Sequence, residues 1–181
     1  MKTLVDHLSQ YAAYHRDRRN IATHFVGIPM IVAAVAMLLS RPVLAMLGDV
    51  AVTPALLVVL ATTVFYLRLD LRFALVMAAF LAMCLWLGQR VAGAPTTLWL
   101  TWGIGLFVVG WVFQFVGHYY EGRKPAFVDD LVGLIVGPLF VAAEAAFALG
   151  LRKDVQTAIE ARVGPTLIRA GKAAIADSAR H

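Results

Sequence analysis

The sequence predicts an all-α, polytopic integral membrane helical bundle, and three observations lead to this fold class. Hydrophobic residues make up 61% of the 181 residues and charged residues only 15%, whereas soluble domains carry about 45–50% apolar and about 25% charged residues. The mean hydropathy is +0.77. The apolar residues also collect in stretches of the length that crosses a bilayer, about 20 residues of helix. These observations exclude an ordinary cytosolic enzyme, a disordered chain and a disulfide-stapled secreted module.

Four spanning helices are expected, with one further helical segment on either side of them. An interfacial helix is predicted ahead of the first apolar stretch from four residues at helical spacing, Leu4, Leu8, Tyr11 and His15. A fifth apolar segment contains Gly137 and Pro138, and proline interrupts helices because it lacks an N–H donor and clashes with the preceding turn. We therefore expect this segment to be re-entrant, turning at that pair. The predicted elements are the interfacial helix at 3–19, spans at about 21–39, 50–67, 71–87 and 98–116, and the fifth segment at 131–149.

Basic residues predict the orientation of the bundle, because Lys and Arg collect in cytoplasmic loops. Placing the N-terminus in the cytoplasm puts eight basic residues inside and two outside before the C-terminal tail is counted. The net charge of +5 is thereby explained by the membrane, and no nucleic acid partner is expected. The tail at 151–181 is basic and is expected to lie on the membrane surface or to be partly disordered. The inside residues are Lys2, Arg16, Arg18, Arg19, Arg68, Arg72, Arg123 and Lys124, and the outside ones are Arg41 and Arg90.

The candidates for chemistry are the ionisable residues of the apolar segments, which are costly in a bilayer. His24 begins the first span and His118 ends the fourth, so both lie at the same depth on the cytoplasmic side. His118 and Glu121 are three residues apart and can share a helix face, a spacing that presents ligands to iron in helical bundles. His15 lies nine residues before His24, on the opposite face of one continuous helix. If both bind one ion, the helix must break between them, and Asn20 is a good N-cap for a helix restarting there.

Structural roles for the same residues stay open at this stage. An interfacial histidine can be a hydrogen-bonded anchor, and Glu121 can pair with Arg123 or Lys124. Glu144 can support the second nitrogen of a histidine. Imidazole with carboxylate suits non-haem Fe(II), whereas five histidines are too few for membrane di-iron hydroxylases and desaturases. The single cysteine, Cys84, excludes a disulfide within the chain and a cysteine-based metal site.

Three blocks of residues carry a resemblance to a known family. The first block has Tyr14-His15, Asn20, His24, Gly27 and Pro29; the second has Gln114, Gly117-His118, Glu121, Arg123 and Pro125-Ala126; the third has Pro138-Leu139-Phe140 and Glu144. Together these blocks resemble the membrane 2-hydroxy fatty acid dioxygenases, the family named for the metabolism of phytosphingosine to odd-numbered fatty acids.

The resemblance implies an Fe(II)-dependent dioxygenase of fatty acid α-oxidation, in which residues 1–150 are the membrane-embedded catalytic domain. Such an enzyme converts a 2-hydroxy long-chain fatty acid and O₂ to the fatty acid one carbon shorter and CO₂. The family's essential histidines correspond to His15, His24 and His118, and membrane lipid surrounds the site. The predicted metal ligands and catalytic residues are His15, His24, His118 and Glu121; substrate contacts are expected from Tyr14, Asn20, Arg123 and Lys124, and support of the ligands from Glu144 and Gln114.

Two other functions are compatible with the same residues. One is a different metal-dependent membrane lipid enzyme, for instance a Zn²⁺ hydrolase. The other is a small proton-coupled transporter that uses Glu144 and His118 as a relay. Transporters of this kind often contain inverted repeats, and the sequence has none that we can identify, which favours the enzyme.

Overall fold

The computed structural model describes residues 2–122 and 132–168, and within them it confirms the all-α membrane bundle. Helices account for most of this part of the chain, and the strands form one short antiparallel hairpin with Ala45 opposite Val52. The elements in chain order are α1 (Leu4–Ala12), α2 (Arg18–Ser40), β1 (Ala45–Leu47), β2 (Val50–Val52), α3 (Pro54–Leu69), α4 (Leu71–Ala92), α5 (Thr96–Glu121), α6 (Val132–Ala148) and α7 (Lys153–Val163).

Three of the helices, α2, α4 and α5, are long and apolar enough to cross a membrane. Helix α3 is apolar but has only 16 residues. Helices α6 and α7 qualify together, although the chain bends by 113° between them. The bundle thus holds three to four candidate spans in the described residues, and three of the four predicted spans correspond to α2, α4 and α5.

Helix α2 packs closely against α5, and glycines make this contact possible. A Cβ added at Gly27 would lie 2.7 Å from the carbonyl oxygen of Gly110, and one added at Gly110 would lie 2.9 Å from the carbonyl oxygen of Gly27. Small residues let helix backbones touch in membrane proteins. The contact lies one turn beyond His24 along α2, so it brings the start of α2 beside the end of α5.

The N-terminal segment is broken where the sequence predicted a continuous helix at 3–19. Helix α1 begins with a reciprocal capping box between Thr3 and Asp6 and ends at Ala12. Helix α2 begins at Arg18, because the Asp17 carboxylate accepts the backbone N–H of Arg19 at 2.9 Å. The break expected between His15 and His24 is therefore present, but it comes earlier than expected, and Asn20 as its N-cap is wrong: Asp17 is the cap, and Asn20 lies inside α2. Residues 13–17 form the link between α1 and α2.

The predicted span at 50–67 starts too early. Residues Val50–Val52 belong to the hairpin, and α3 begins at Pro54. Proline suits the first helical position because no intrahelical acceptor is available for an N–H there. The hydroxyl of Thr53 accepts the backbone N–H of Leu56 at 3.2 Å and caps the helix.

The position expected for the turn, Gly137-Pro138, is wrong, since α6 runs through both residues without a break, whereas the bend of 113° between α6 and α7 is compatible with either a broken span or a re-entrant segment. Gly137 packs against the ring of Tyr11, whose hydroxyl would lie 3.0 Å from a Cβ at this position. A proline inside a membrane helix is tolerated where neighbouring elements compensate for the lost hydrogen bond. The change of direction comes after Ala148, where Gly150 and Arg152 have positive φ angles of 75° and 52°.

The tail after residue 150, expected to lie on the membrane surface or to be partly disordered, begins with α7, which packs onto the bundle. Val155 and Ile159 of α7 are buried in the same apolar cluster as Leu4 and Leu8 of α1. Arg162 also donates to the Asp6 carboxylate at 2.6 Å. Residues 169–181 of the predicted tail lie outside the described residues.

Candidate metal centre

Three histidines from distant parts of the chain converge at one end of the bundle. His15 comes from the link, His24 from the start of α2 and His118 from the last turn of α5. Their ring centroids are 4.6 Å apart for His15 and His24, 4.9 Å for His15 and His118, and 5.2 Å for His24 and His118. Each offers one ligand atom, and these atoms all lie within 4.8 Å of one another. The meeting of His24 with His118 that the topology predicted is found, and His15 joins it.

Backbone carbonyls fix the tautomers of two of these rings. The Nδ1 atom of His15 lies 2.7 Å from the carbonyl oxygen of Tyr11, and that of His24 lies 2.9 Å from the carbonyl oxygen of Asn20. A carbonyl only accepts, so Nδ1 carries the proton in both and each Nε2 keeps its lone pair. Both Nε2 atoms are buried without a hydrogen-bond partner in the part of the chain that the structure describes. Metal-binding histidines are oriented in this way, so the cluster fits a metal ion.

Burial keeps His15 in the form that binds metals. The desolvation of its buried ring lowers the pKa of His15 well below the usual 6.5, and the neighbouring His24 and His118 lower it further. A metal ligand must be the neutral imidazole. At neutral pH His15 is therefore already in the ligand form before any ion binds.

The carboxylate of Glu121 holds the link in place. Its Oε2 atom accepts the backbone N–H groups of Arg16 at 3.0 Å and of Asp17 at 2.8 Å, and the Nδ2 of Asn20 at 3.2 Å. Glu121 was predicted as a fourth metal ligand, but the compact group of ligand atoms found among the described residues contains the three histidines and not Glu121. Its contacts are those of a residue that positions His15.

Asn20 and Tyr14, both predicted as substrate contacts, belong to the same arrangement. The Nδ2 of Asn20 donates to the carbonyl oxygen of Tyr14 at 3.3 Å as well as to Glu121. The backbone oxygen of Asn20 lies against His24. The structure therefore places both residues around the histidines, where they connect the link to the ligand-bearing turn of α2. Arg123 and Lys124, the other predicted substrate contacts, lie outside the described residues.

Arg16 connects the link to the chain that follows α6, and this role was not predicted from the sequence. Its guanidinium donates to the carbonyl oxygens of Ala12 and His15 from Nε, and to that of Gly164 from Nη1 at 3.0 Å. Its Nη2 lies 3.6 Å from Glu144. Burial lowers the pKa of Arg16, and the charge of Glu144 opposes this shift. Glu144 was predicted to support a histidine, whereas the structure places it beside Arg16.

A cavity adjoins the histidines and contains one further predicted residue. It is lined by His24, His118, Gln114 and Tyr11, among others. Gln114 is 5% exposed, and its Nε2 has no hydrogen-bond partner within the described residues. Gly27 leaves the room that this side chain occupies, since a Cβ added there would clash with the Gln114 Nε2. A buried amide of this kind is available to a polar group that enters the cavity.

Tyr11 is a residue of the site that sequence reasoning missed. Its ring stacks on His15, with 4.1 Å between centroids and 2° between the ring planes. Its carbonyl orients the same histidine, and burial raises the pKa of its hydroxyl. The signal available in the sequence was the four-residue spacing between Tyr11 and His15, which we interpreted as part of an interfacial helix.

Comparisons with known proteins give one consistent result. A family model described as 2-hydroxy-palmitic acid dioxygenase Mpo1-like matches residues 1–149, which include all three histidines. The chain is similar to the 2-hydroxy-palmitic acid dioxygenase MPO1 of Saccharomyces cerevisiae. The two are 31% identical over 155 residues, which cover 84% of this chain and 85% of the yeast protein. No solved structure matches the chain.

Proposed function

This chain belongs to the 2-hydroxy-palmitic acid dioxygenase Mpo1-like family, and on that premise we propose that it is an Fe(II)-dependent dioxygenase of fatty acid α-oxidation. Its substrates are a 2-hydroxy long-chain fatty acid and O₂. The C1–C2 bond breaks, C2 becomes the carboxyl carbon of the shortened acid, and C1 leaves as CO₂. The remaining two hydrogens and one oxygen leave as water. The two carbons lose four electrons in total, which O₂ accepts, so the reaction needs no external reductant.

The observation that carries this proposal is the buried group of His15, His24 and His118. Neutral imidazoles suit a non-haem iron site, and bound Fe(II) would supply open positions for O₂ chemistry. The carbonyls of Tyr11 and Asn20 hold two of the rings with Nε2 available for a metal. The protein's own contribution is thus to fix the tautomers and to keep the nitrogens free of competing hydrogen bonds.

We assign recognition of the polar end of the substrate to residues around the adjoining cavity. The amide of Gln114 is positioned to donate to a hydroxyl or carboxylate that enters beside His24 and His118. Arg123 and Lys124 directly follow α5 in the sequence, and we propose that they hold the carboxylate through charge-assisted hydrogen bonds. Glu121, Asn20 and Tyr14 act through the link, by holding His15 where a metal can use it.

We further propose that the N-terminus and this site face the cytoplasm. The eight basic residues assigned to the inside loops support this orientation, because positively charged loops are retained on the cytoplasmic side. The substrate then approaches from the bilayer with its carboxylate at the cytoplasmic interface.

A zinc hydrolase is the second candidate, because three histidines also form catalytic zinc sites. A proton relay between Glu144 and His118 is less well supported, since Glu144 lies beside Arg16. Metal identity distinguishes the two enzymes.

The test is anaerobic reconstitution of the purified protein with Fe(II), followed by addition of O₂ and 2-hydroxypalmitic acid. We expect pentadecanoic acid and CO₂ in equal amounts, with no product from the zinc-loaded protein. The His118→Ala variant serves as the control for adventitious iron chemistry. Iron binding at one equivalent without any shortened acid would reject the dioxygenase, and zinc-dependent ester or amide hydrolysis would favour the hydrolase.

A further inference from the structure

A second, larger cavity lies beside the one at the histidines. Its volume is about 330 Å³. The two cavities share a wall formed by Ile31, Val32, Trp111, Leu134 and Pro138. The polar groups of the metal centre line only the first cavity. A molecule with a polar head and an apolar body could therefore place one part in each.

The lining of the second cavity suits a hydrocarbon chain. None of its sixteen lining residues is charged, and the polar side-chain groups among them are the Thr62 hydroxyl, the Cys84 thiol and the Trp111 indole. A threonine hydroxyl within a helix can bond to a carbonyl of the preceding turn. A cavity with this lining binds apolar groups better than water, which needs several polar partners.

The length of the cavity matches an acyl chain. It follows one face of α2, where lining residues recur at the helical period from Ile31 through Val35 to Leu39. The first cavity already includes Ile28. From Ile28 to Leu39 the helix rises by about 16 Å, and the acyl chains of one leaflet extend over roughly half of the ~30 Å hydrocarbon core. The two cavities together thus offer a path as long as a long-chain acyl group.

Small side chains line the far end of this path. Ala36, Ala55 and Cys84 are only 6%, 2% and 2% exposed, and each lines the cavity. One turn beyond Cys84 the helices α2 and α4 meet, since a Cβ added at Gly88 would lie 2.8 Å from the carbonyl oxygen of Ala36. This contact leaves no room for a chain between α2 and α4 at that level. A larger side chain at Cys84 or Ala55 would shorten the path.

The cavity also has a rim on the lipid-facing surface of the bundle. Val58 of α3 and Leu134 of α6 line it and are 49% and 50% exposed. A fatty acid dissolved in the bilayer could enter between these helices without crossing water.

We propose that this second cavity binds the alkyl chain of the substrate and that Ala36, Ala55 and Cys84 set the longest chain it accepts. The carboxylate and 2-hydroxyl then lie in the first cavity beside the histidines. This inference rests on the proposed function, because it takes a 2-hydroxy fatty acid as the occupant.

The test compares Cys84→Phe with Met83→Phe, its neighbour on α4 that is 52% exposed to the lipid side. Activity is measured with 2-hydroxy acids of 10, 12, 14, 16 and 18 carbons. We expect Cys84→Phe to raise the KM for the 16-carbon acid at least tenfold while leaving the 10-carbon acid within twofold of wild type. Met83→Phe should show the same dependence of KM on chain length as the wild type. Leu39→Ala enlarges the same end of the cavity and should lower the KM for the 18-carbon acid relative to the KM for the 16-carbon acid.

A binding measurement keeps the inference separate from catalysis. Ligands that bind the folded protein raise its melting temperature, so hexadecanoic acid should raise that of the wild type and of Met83→Phe but not that of Cys84→Phe. Decanoic acid should raise the melting temperatures of the wild type and of both variants by the same amount. Unchanged chain-length profiles and unchanged melting shifts in Cys84→Phe and Leu39→Ala would overturn the inference. A wild type that binds hexadecanoic acid in this pattern but oxidises none of the 2-hydroxy acids would reject the proposed function and leave the cavity assignment standing.

Discussion

Glu121 accepts the backbone N–H of Asp17 at 2.8 Å, which joins the end of α5 to the start of α2 across 104 residues of sequence. His118 lies one turn before Glu121, and His15 lies two residues before Asp17. A single carboxylate therefore connects the segments that carry two of the three histidines. The distance between those histidines depends on this contact as much as on the packing of the helices.

Removing the Glu121 carboxylate should destabilise the protein even without metal. We expect Glu121→Ala to lower the free energy of unfolding by about 3 kcal/mol, because buried N–H groups would lose their acceptor, and Glu121→Gln to cost less. Metal affinity should fall about 10–100-fold in both, as for other residues that orient ligands. Thermal unfolding of the metal-free protein and metal titration measure the two effects. If Glu121→Gln lost all metal at unchanged metal-free stability, Glu121 would be a ligand after all.

The three histidines should be required equally for metal binding. We expect His15→Ala, His24→Ala and His118→Ala each to lower the iron content of reconstituted protein to background, since each removes a ligand. His7→Ala is the matched control: His7 contacts Phe65 by its ring edge, with 5.5 Å between centroids, and should retain full iron content. Elemental analysis of the purified variants gives the result. Equal iron in all four would place the site elsewhere.

Gly117 should tolerate no side chain. A Cβ there would clash with the Thr23 hydroxyl and with Oδ1 of Asn20, and it would lie 3.2 Å from Nδ1 of His24. We expect Gly117→Ala to push α2 away from α5 and to lower metal affinity at least tenfold. Gly105→Ala, on the same helix with nothing within 4 Å of the added carbon, should bind metal normally. Comparable affinities for the two variants would contradict the close approach at Gly117.

Acid should weaken the contact between α1 and α7. The backbone N–H of Thr3, followed by Arg162, holds the pKa of Asp6 well below its usual 3.8. A depressed pKa in the folded state means that the stabilisation is complete above about pH 3.8 and is lost as the pH falls below it. We expect Asp6→Asn to lower the melting temperature at pH 7, and its difference from wild type to shrink as the pH falls from 4 towards 2. Asp154→Asn serves as the control, because this side chain is 74% exposed and its only ion pair among the described residues is with Arg152 at 3.5 Å, and we expect it to change the melting temperature at pH 7 much less than Asp6→Asn.

The sequence alone predicted those features that the bilayer imposes. Helices α2, α4 and α5 were predicted because a span needs a long apolar stretch, and such stretches are visible in composition. The same reasoning placed His24 and His118 at one depth, since topology relates the ends of neighbouring spans.

Features that depend on distant partners could not be predicted in this way. Asp17 and Asn20 are both good N-caps, and the link ends at Asp17 where Glu121 accepts its N–H from the other end of the bundle. The tendency of Pro138 to break a helix can be predicted from the local sequence. The packing of Tyr11 against Gly137 joins distant residues, so the sequence did not predict it. Glu121 lies three residues from His118 as a ligand would, but its Oε2 atom accepts the backbone N–H groups of Arg16 and Asp17 in the link.

The hydrogen bonds between the link and the end of the described chain have a consequence for biosynthesis. Leu167 donates its N–H to the carbonyl of Arg16, and its own carbonyl accepts the N–H of Arg18, so the segment beside His15 is completed by a residue that follows all of the helices α1 to α7 in the chain. A nascent chain cannot form these bonds until that residue has left the ribosome. The arrangement around His15 is therefore complete only after α1 to α7 have all been synthesised.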